Sequence, residues 1–200
     1  MLERAGGVLS RGLLVLLFGL FAWSNFERWR STGEPSGLGL TLLECWVALM
    51  FVIRRPAHDV SISRLAWIAA PIGTFAMLLA RPAEGGLSPL LCEAVQLVGV
   101  GFALVSLSAL GRSFGLVAAN RGVKTRGPYG LVRHPAYAGY LISYIGYGAE
   151  NPSLRNMGLV LLGTAFQVVR IREEEQLLSR DSSYASYRRR VRYRVIPLVY

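Results

Sequence analysis

Charge is scarce in this sequence, and most of what is present has one sign. Charged residues make up 17% of the 200, and 12 acids stand against 22 bases, for a formal net charge of +10. A water-soluble domain usually carries about 25% charge. Lysine is nearly missing, since Lys124 is the single one beside 21 arginines. The only cysteines, Cys45 and Cys92, lie inside apolar runs, so they read as small hydrophobes and not as a disulfide or metal pair. No asparagine stands in a glycosylation sequon; Asn151-Pro152-Ser153 comes nearest and carries the excluded proline. Internal repeats and low-complexity tracts are absent, and no Gly-x-Gly-x-x-Gly follows a strand pattern.

What the sequence does have is apolar length. Six stretches stand out, at 12–26, 37–53, 65–80, 87–110, 136–149 and 154–169. The fourth is long enough to cross a bilayer alone. The first gains length if Val8–Ser10 join it, with Arg11 snorkelling at its edge. Met1 to Phe26 lacks a small-residue cleavage site after the apolar run, so it reads as a retained first span and not as a signal peptide. Pro71 and Gly73 predict a kink in the third stretch. The fifth and sixth are short against the roughly 20 residues that a span requires. Glu150-Asn151-Pro152-Ser153 divides them, with Ser153 as the expected helix cap. The expected fold class is all-α integral membrane: five to six transmembrane or partly re-entrant helices with a cytoplasmic C-terminal helical cap.

The arginines agree with this reading. If all six stretches cross, Arg28, Arg30, Arg81 and Arg155 fall on one side and the other 18 basic residues on the opposite side. Such a bias places both termini in the cytoplasm. It also accounts for the net charge through the anionic cytoplasmic leaflet, without nucleic acid. Glu44 and Glu93 lie within apolar stretches, and structural roles are expected for both.

Three segments hold the chemistry. The first, Arg126 to Gly139, contains Gly127-Pro128-Tyr129 and Arg133-His134-Pro135-Ala136-Tyr137. Gly127-Pro128 predicts a turn and Pro135 a break after His134, which sets the histidine at the membrane edge. An interfacial belt with snorkelling arginines explains Tyr and Arg there, but not the His-Pro step. The second segment, Arg170 to Leu178, places Arg170, Glu174 and Leu178 on one helical face. Three adjacent glutamates near a helix C-terminus oppose the helix dipole. Either the helix runs past Leu178 or the acids have cationic partners. The third, Tyr184-Ala185-Ser186-Tyr187 followed by Arg188-Arg189-Arg190-Val191, predicts a short basic amphipathic helix lying on the cytoplasmic interface as a lipid anchor.

The order Gly-Pro-Tyr, Arg-His-Pro-x-Tyr-x-Gly, apolar hairpin, Arg-x-x-x-Glu-Glu-x-x-Leu, Tyr-x-x-Tyr and closing Ile-Pro resembles the isoprenylcysteine carboxyl methyltransferase family, whose pattern phospholipid N-methyltransferases share. The resemblance covers residues 111–198. It implies a division into variable N-terminal transmembrane helices, 1–110, and a methyltransferase catalytic region, 111–200, within a single domain.

It also implies S-adenosyl-L-methionine as cofactor, held in a cytoplasmic pocket by the positions matching Tyr129, His134, Pro135, Ala136, Tyr137 and Glu174, with Val123 and Lys124 contributed by the preceding loop. The position matching Arg170 serves the methyl acceptor, a lipid-like or prenylated compound entering from the lipid bilayer. Arg170 and His134 are the expected catalytic residues. Glu174 suits the cationic cofactor, and Arg170 would hold a carboxylate by a forked contact. His134 is the candidate base if the acceptor is an amine. Neither a metal nor nucleic acid is expected. The site is a multi-pass protein's, in a bacterial inner membrane or an endomembrane. Two rivals remain at this point: a membrane reductase of the sterol type using NADPH, and a non-enzymatic lipid-binding protein.

Overall fold

The structure is a computed structural model that describes the backbone of residues 2–200 and the side chains of residues 10–200. Met1 and the side chains of Arg4 and Val8, used above for the signal-peptide, charge and first-span readings, lie outside the described residues.

Seven α-helices are described: α1 (Leu2–Thr32), α2 (Pro35–Ile53), α3 (Arg64–Phe75), α4 (Pro89–Leu110), α5 (Pro135–Glu150), α6 (Leu154–Leu178) and α7 (Ser182–Arg190). Proline in the first turn starts α2, α4 and α5, where its fixed φ suits the helix and its missing N–H costs nothing. Ser153 caps α6 as expected, its hydroxyl accepting from Asn156 N at 3.1 Å. Helix α3 stays helical through Pro71 and tightens into a 3-10 turn at Ala76–Leu79.

The six longer helices alternate in direction. At one end of the bundle, Ser36 N donates to Glu93 Oε1 (2.8 Å), Leu87 N to Ala149 O (3.0 Å) and Ala83 N to Asn151 Oδ1 (3.0 Å). Asn156 is fully buried there, and its amide donates to Arg81 O and Asn151 O. At the other end, Arg55 N donates to Arg112 O, and β1 (Asp59–Val60) pairs antiparallel with β2 (Ala119–Asn120). Asn120 Nδ2 reaches Asp181 Oδ2 at 3.1 Å, tying this end to α7.

Helices α4 and α5 meet through small residues. A Cβ on Gly139 would lie 2.6 Å from Ala103 N, and one on Gly99 2.5 Å from Ser143 N. Close backbone approach of this kind is how membrane helices gain packing without a hydrophobic drive between them. Large apolar side chains face outward instead: Leu13, Leu20 and Trp23 on α1, Leu90 and Val98 on α4, and Leu161 on α6. A water-soluble fold would bury such side chains, whereas hydrocarbon accepts them. Helix α2 and the stretch Pro89–Ser113 are each long and apolar enough to cross a bilayer, with mean hydropathy 1.9 and 2.0.

Helix α6 runs past its apolar stretch, and Arg170 to Leu178 continues it as one helix, as their spacing on one face implied. One expectation changes. Helix α7 forms, but its aromatic face does not lie on lipid. Tyr184 and Tyr187 are 2% and 3% exposed and pack on Tyr129 with Val191. The arginine triplet Arg188–Arg190 remains outward, with Ser182, Ser183 and Ser186. Burying two tyrosines against a third outweighs placing them at an interface.

Candidate active site

The segment between α4 and α5 supplies one wall of the site. Gly127 has φ +64, a conformation that favours glycine, and Pro128 follows it into a 3-10 turn at Gly127–Gly130. That turn buries Tyr129, whose carbonyl accepts from the Tyr187 hydroxyl at 2.7 Å. Pro135 then opens α5, leaving His134 at its N-cap position. The backbone of Arg133 and His134 is locked by the C-terminal tail: Arg133 N donates to Tyr193 O (2.9 Å) and His134 N to Arg194 O (2.8 Å).

Helix α6 supplies the facing wall. Glu174 Oε1 accepts from the Tyr137 hydroxyl at 2.5 Å, and its Oε2 lies 3.6 Å from His134 Nδ1. Glu175, one residue on, turns behind the histidine: its Oε1 lies 3.3 Å from His134 Nε2 and 2.6 Å from Arg133 Nε, and its Oε2 accepts from Arg194 Nε at 2.9 Å. The helix ends at Leu178, and two of its three adjacent glutamates, Glu174 and Glu175, have cationic partners. His134 sits between two carboxylates and is only 6% exposed.

These contacts decide the protonation states. Burial disfavours the charged imidazole, but the hydrogen bonds and charges of Glu174 and Glu175 outweigh it, and the His134 pKa is raised. Burial likewise opposes ionisation of both glutamates. His134, Arg170 and Tyr137 nonetheless lower Glu174, and His134, Arg133 and Arg194 hold Glu175 far below the carboxylate range.

A cavity of about 110 Å³ lies between the walls. Eight of the nine residues expected in the site line it: Val123, Lys124, Tyr129, His134, Ala136, Tyr137, Arg170 and Glu174. Pro135 does not; it is buried beneath, as the first residue of α5. Further residues line it that the sequence did not assign to the site. Leu107, Leu110 and Phe114 supply an apolar side, and Tyr184 and Tyr187 of α7 join them. The signal available was the Tyr-x-x-Tyr spacing, which has the same form on a cap as on a lipid anchor.

A second, larger cavity of about 360 Å³ lies among α1 to α6. It shares Phe114, Tyr140 and Arg170 with the first. Arg170 is 8% exposed; its Nη1 donates to Thr74 Oγ1 (2.9 Å) and Gln167 Oε1 (3.3 Å), and its Nη2 to Leu116 O (3.0 Å). Its Nε is buried without a partner, and the guanidinium lies over the Tyr137 ring at 5.2 Å. Gly73 makes room for it, since a Cβ there would come within 3.2 Å of Arg170 Cδ.

An outward apolar surface around a buried Arg-His-Glu cavity at one end of a helical bundle is the arrangement of a membrane protein with a polar site. Residues 90–184 match the family described as phospholipid methyltransferase, which groups with the membrane methyltransferases. No curated protein matches the chain. The methyl donor of the family is S-adenosylmethionine, and the protein is a methyltransferase dependent on it. This removes the reductase and the non-enzymatic readings. The cavity suits the donor: Glu174 offers a carboxylate to a cation, and Leu107, Leu110 and Phe114 offer an apolar slot beside Tyr129 and Tyr137.

Proposed function

We propose that the protein methylates the carboxylate of a lipid-like or prenylated acceptor at the cytoplasmic face of its membrane. The smaller cavity is the cofactor site, and the larger cavity receives the acceptor from the bilayer. One observation carries the reading: Arg170 lines both cavities and keeps a buried Nε without a partner. An anion arriving in the larger cavity satisfies that donor at the boundary with the smaller one.

S-adenosylmethionine supplies the methyl group as a sulfonium. Glu174 is held ionised by its neighbours and balances positive charge in the pocket. Tyr137 fixes the Glu174 carboxylate through its hydroxyl. Arg170 orients the acceptor, and methyl transfer depends chiefly on such positioning. A carboxylate needs no proton removed before it attacks. The placement of His134 favours this acceptor over an amine, because both ring nitrogens already face carboxylates and neither is turned toward the cavity as a free base. Tyr184 and Tyr187 exclude water from the pocket by closing it.

The alternating helices and the arginine distribution support a six-crossing arrangement with both termini in the cytoplasm. The catalytic end then meets the anionic leaflet.

The test compares cofactor binding and methyl transfer in the same preparations. Arg170→Ala is expected to abolish transfer and leave cofactor binding nearly unchanged. Arg170→Lys keeps the charge, loses the fork and is also impaired. Loss of cofactor binding in Arg170→Ala would place the arginine in the cofactor pocket and defeat the assignment.

A further inference from the structure

The larger cavity contains an acid that the reaction does not use. Glu44 lies near the middle of α2, lines this cavity and is absent from the smaller one. A carboxylate in a membrane segment is costly, and its default reading is functional. Its Oε2 accepts from Asn25 Nδ2 at 3.0 Å, which links α2 to α1. The same nitrogen donates to Phe21 O at 3.1 Å. Both partners are acceptors, so the chemistry assigns the Asn25 nitrogen and leaves Oδ1 as its other atom. No described residue donates to Glu44 Oε1 or Asn25 Oδ1, and no described basic group pairs with Glu44. Arg28, the other cation lining this cavity, is held by Glu34 at 2.7 Å.

The cavity is therefore polarised. Its boundary with the cofactor site presents an unpartnered donor on Arg170. Its interior presents two unpartnered acceptors side by side on Glu44 and Asn25. Two free acceptors, one of them acidic, are complemented by a protonated amine. We propose that Glu44 and Asn25 form a second recognition site for the methyl acceptor, taking an ammonium group carried on a part of that molecule remote from the atom that is methylated. The remoteness follows from the cavities, since Glu44 does not line the one that contains Glu174. The inference rests on Arg170 as the anchor of the acceptor's carboxylate.

The test uses the detergent-purified full chain and two ligand series of graded length: plain fatty acids, and fatty acids bearing a terminal amine. At one length the amine-bearing ligand is expected to bind about tenfold more tightly than its plain counterpart, the scale of one hydrogen bond to a charged group. Glu44→Gln retains the side-chain volume and an oxygen for Asn25. It is expected to remove the preference while binding of the plain acids and of S-adenosylhomocysteine stays at the wild-type level. Absence of any preference in the wild-type chain, or a preference that survives in Glu44→Gln, overturns the proposal. Arg170→Ala separates the two readings. If it weakens both series equally, both the anchor and the second site stand. If it leaves both series unchanged while the preference still depends on Glu44, the anchor is wrong and the second site stands alone.

Discussion

Arg133 Nε lies 2.6 Å from Glu175 Oε1, and the two side chains are 4% and 6% exposed. Arg133 also donates through Nη1 to Val191 O (2.9 Å) and Arg192 O (2.6 Å). One ion pair thus joins the loop before α5, the last turns of α6 and the tail beyond α7. The tail in turn follows α7, whose Tyr184 and Tyr187 line the smaller cavity. Breaking a buried pair by removing one partner costs about 3–5 kcal/mol, because the other charge is left without compensation. Arg133→Met should lower the thermal stability of the purified protein on that scale. Arg194→Met should cost less, since Arg194 is more exposed and Glu175 would keep Arg133. Equal losses would show that the pair is not the hinge of the cap.

Glu174→Gln keeps the shape of the pocket and removes its negative charge. S-adenosylmethionine should bind more weakly by roughly 1.5–3 kcal/mol, the scale of a charge-assisted hydrogen bond. Calorimetric titration reads this directly. A variant that binds as tightly as wild type would take Glu174 out of the cofactor site.

Stability should depend on pH through the same cluster. His134 has a raised folded pKa, so its contribution is complete below its ordinary value of 6.5 and is lost as pH rises through the folded value. Glu175 has a lowered folded pKa, so its contribution is complete above 4.5 and is lost as pH falls through the folded value. Melting temperature should therefore decline on both sides of that range. His134→Gln should flatten the alkaline decline and Glu175→Gln the acid one. An alkaline decline unchanged by His134→Gln would mean that another group titrates.

Gly139 sits where α5 crosses the backbone of α4. Gly139→Ala should destabilise by about 1–3 kcal/mol, because the atoms in the way are backbone and the helices must part. Gly101→Ala, on the same pair of helices, meets nothing within 4 Å and should be neutral or slightly stabilising. Thermal melts of the two variants in one detergent give the comparison. Matching losses would reject close packing as the reason for Gly139.

The arginine bias predicts the sidedness of the bundle. Reporter fusions at Tyr200 and near Gly33 should report opposite faces of the membrane. The same face for both would exclude six crossings.

Much of the site could be read from the chain because its residues lie in two short segments of contrasting chemistry. A His-Pro step at the edge of an apolar run is conspicuous, and so is an arginine one turn before a glutamate. Helical period alone sets Arg170 and Glu174 on one face. The apolar stretches likewise determined most helix positions, because a backbone surrounded by hydrocarbon must satisfy its own hydrogen bonds. What a linear pattern lacks is the identity of the neighbour opposite. Tyr184 and Tyr187 have the spacing of a lipid-facing stripe, and only the position of Tyr129 turned them inward onto the wall of the smaller cavity. Glu175 looked like a second copy of Glu174, yet a turn of about 100° along the helix sends it behind His134 to Arg133 and Arg194. Glu44 looked like a structural acid in α2. Its place on the wall of a cavity depends on how α1, α3 and α6 stand around it, a matter of packing between segments far apart in the chain.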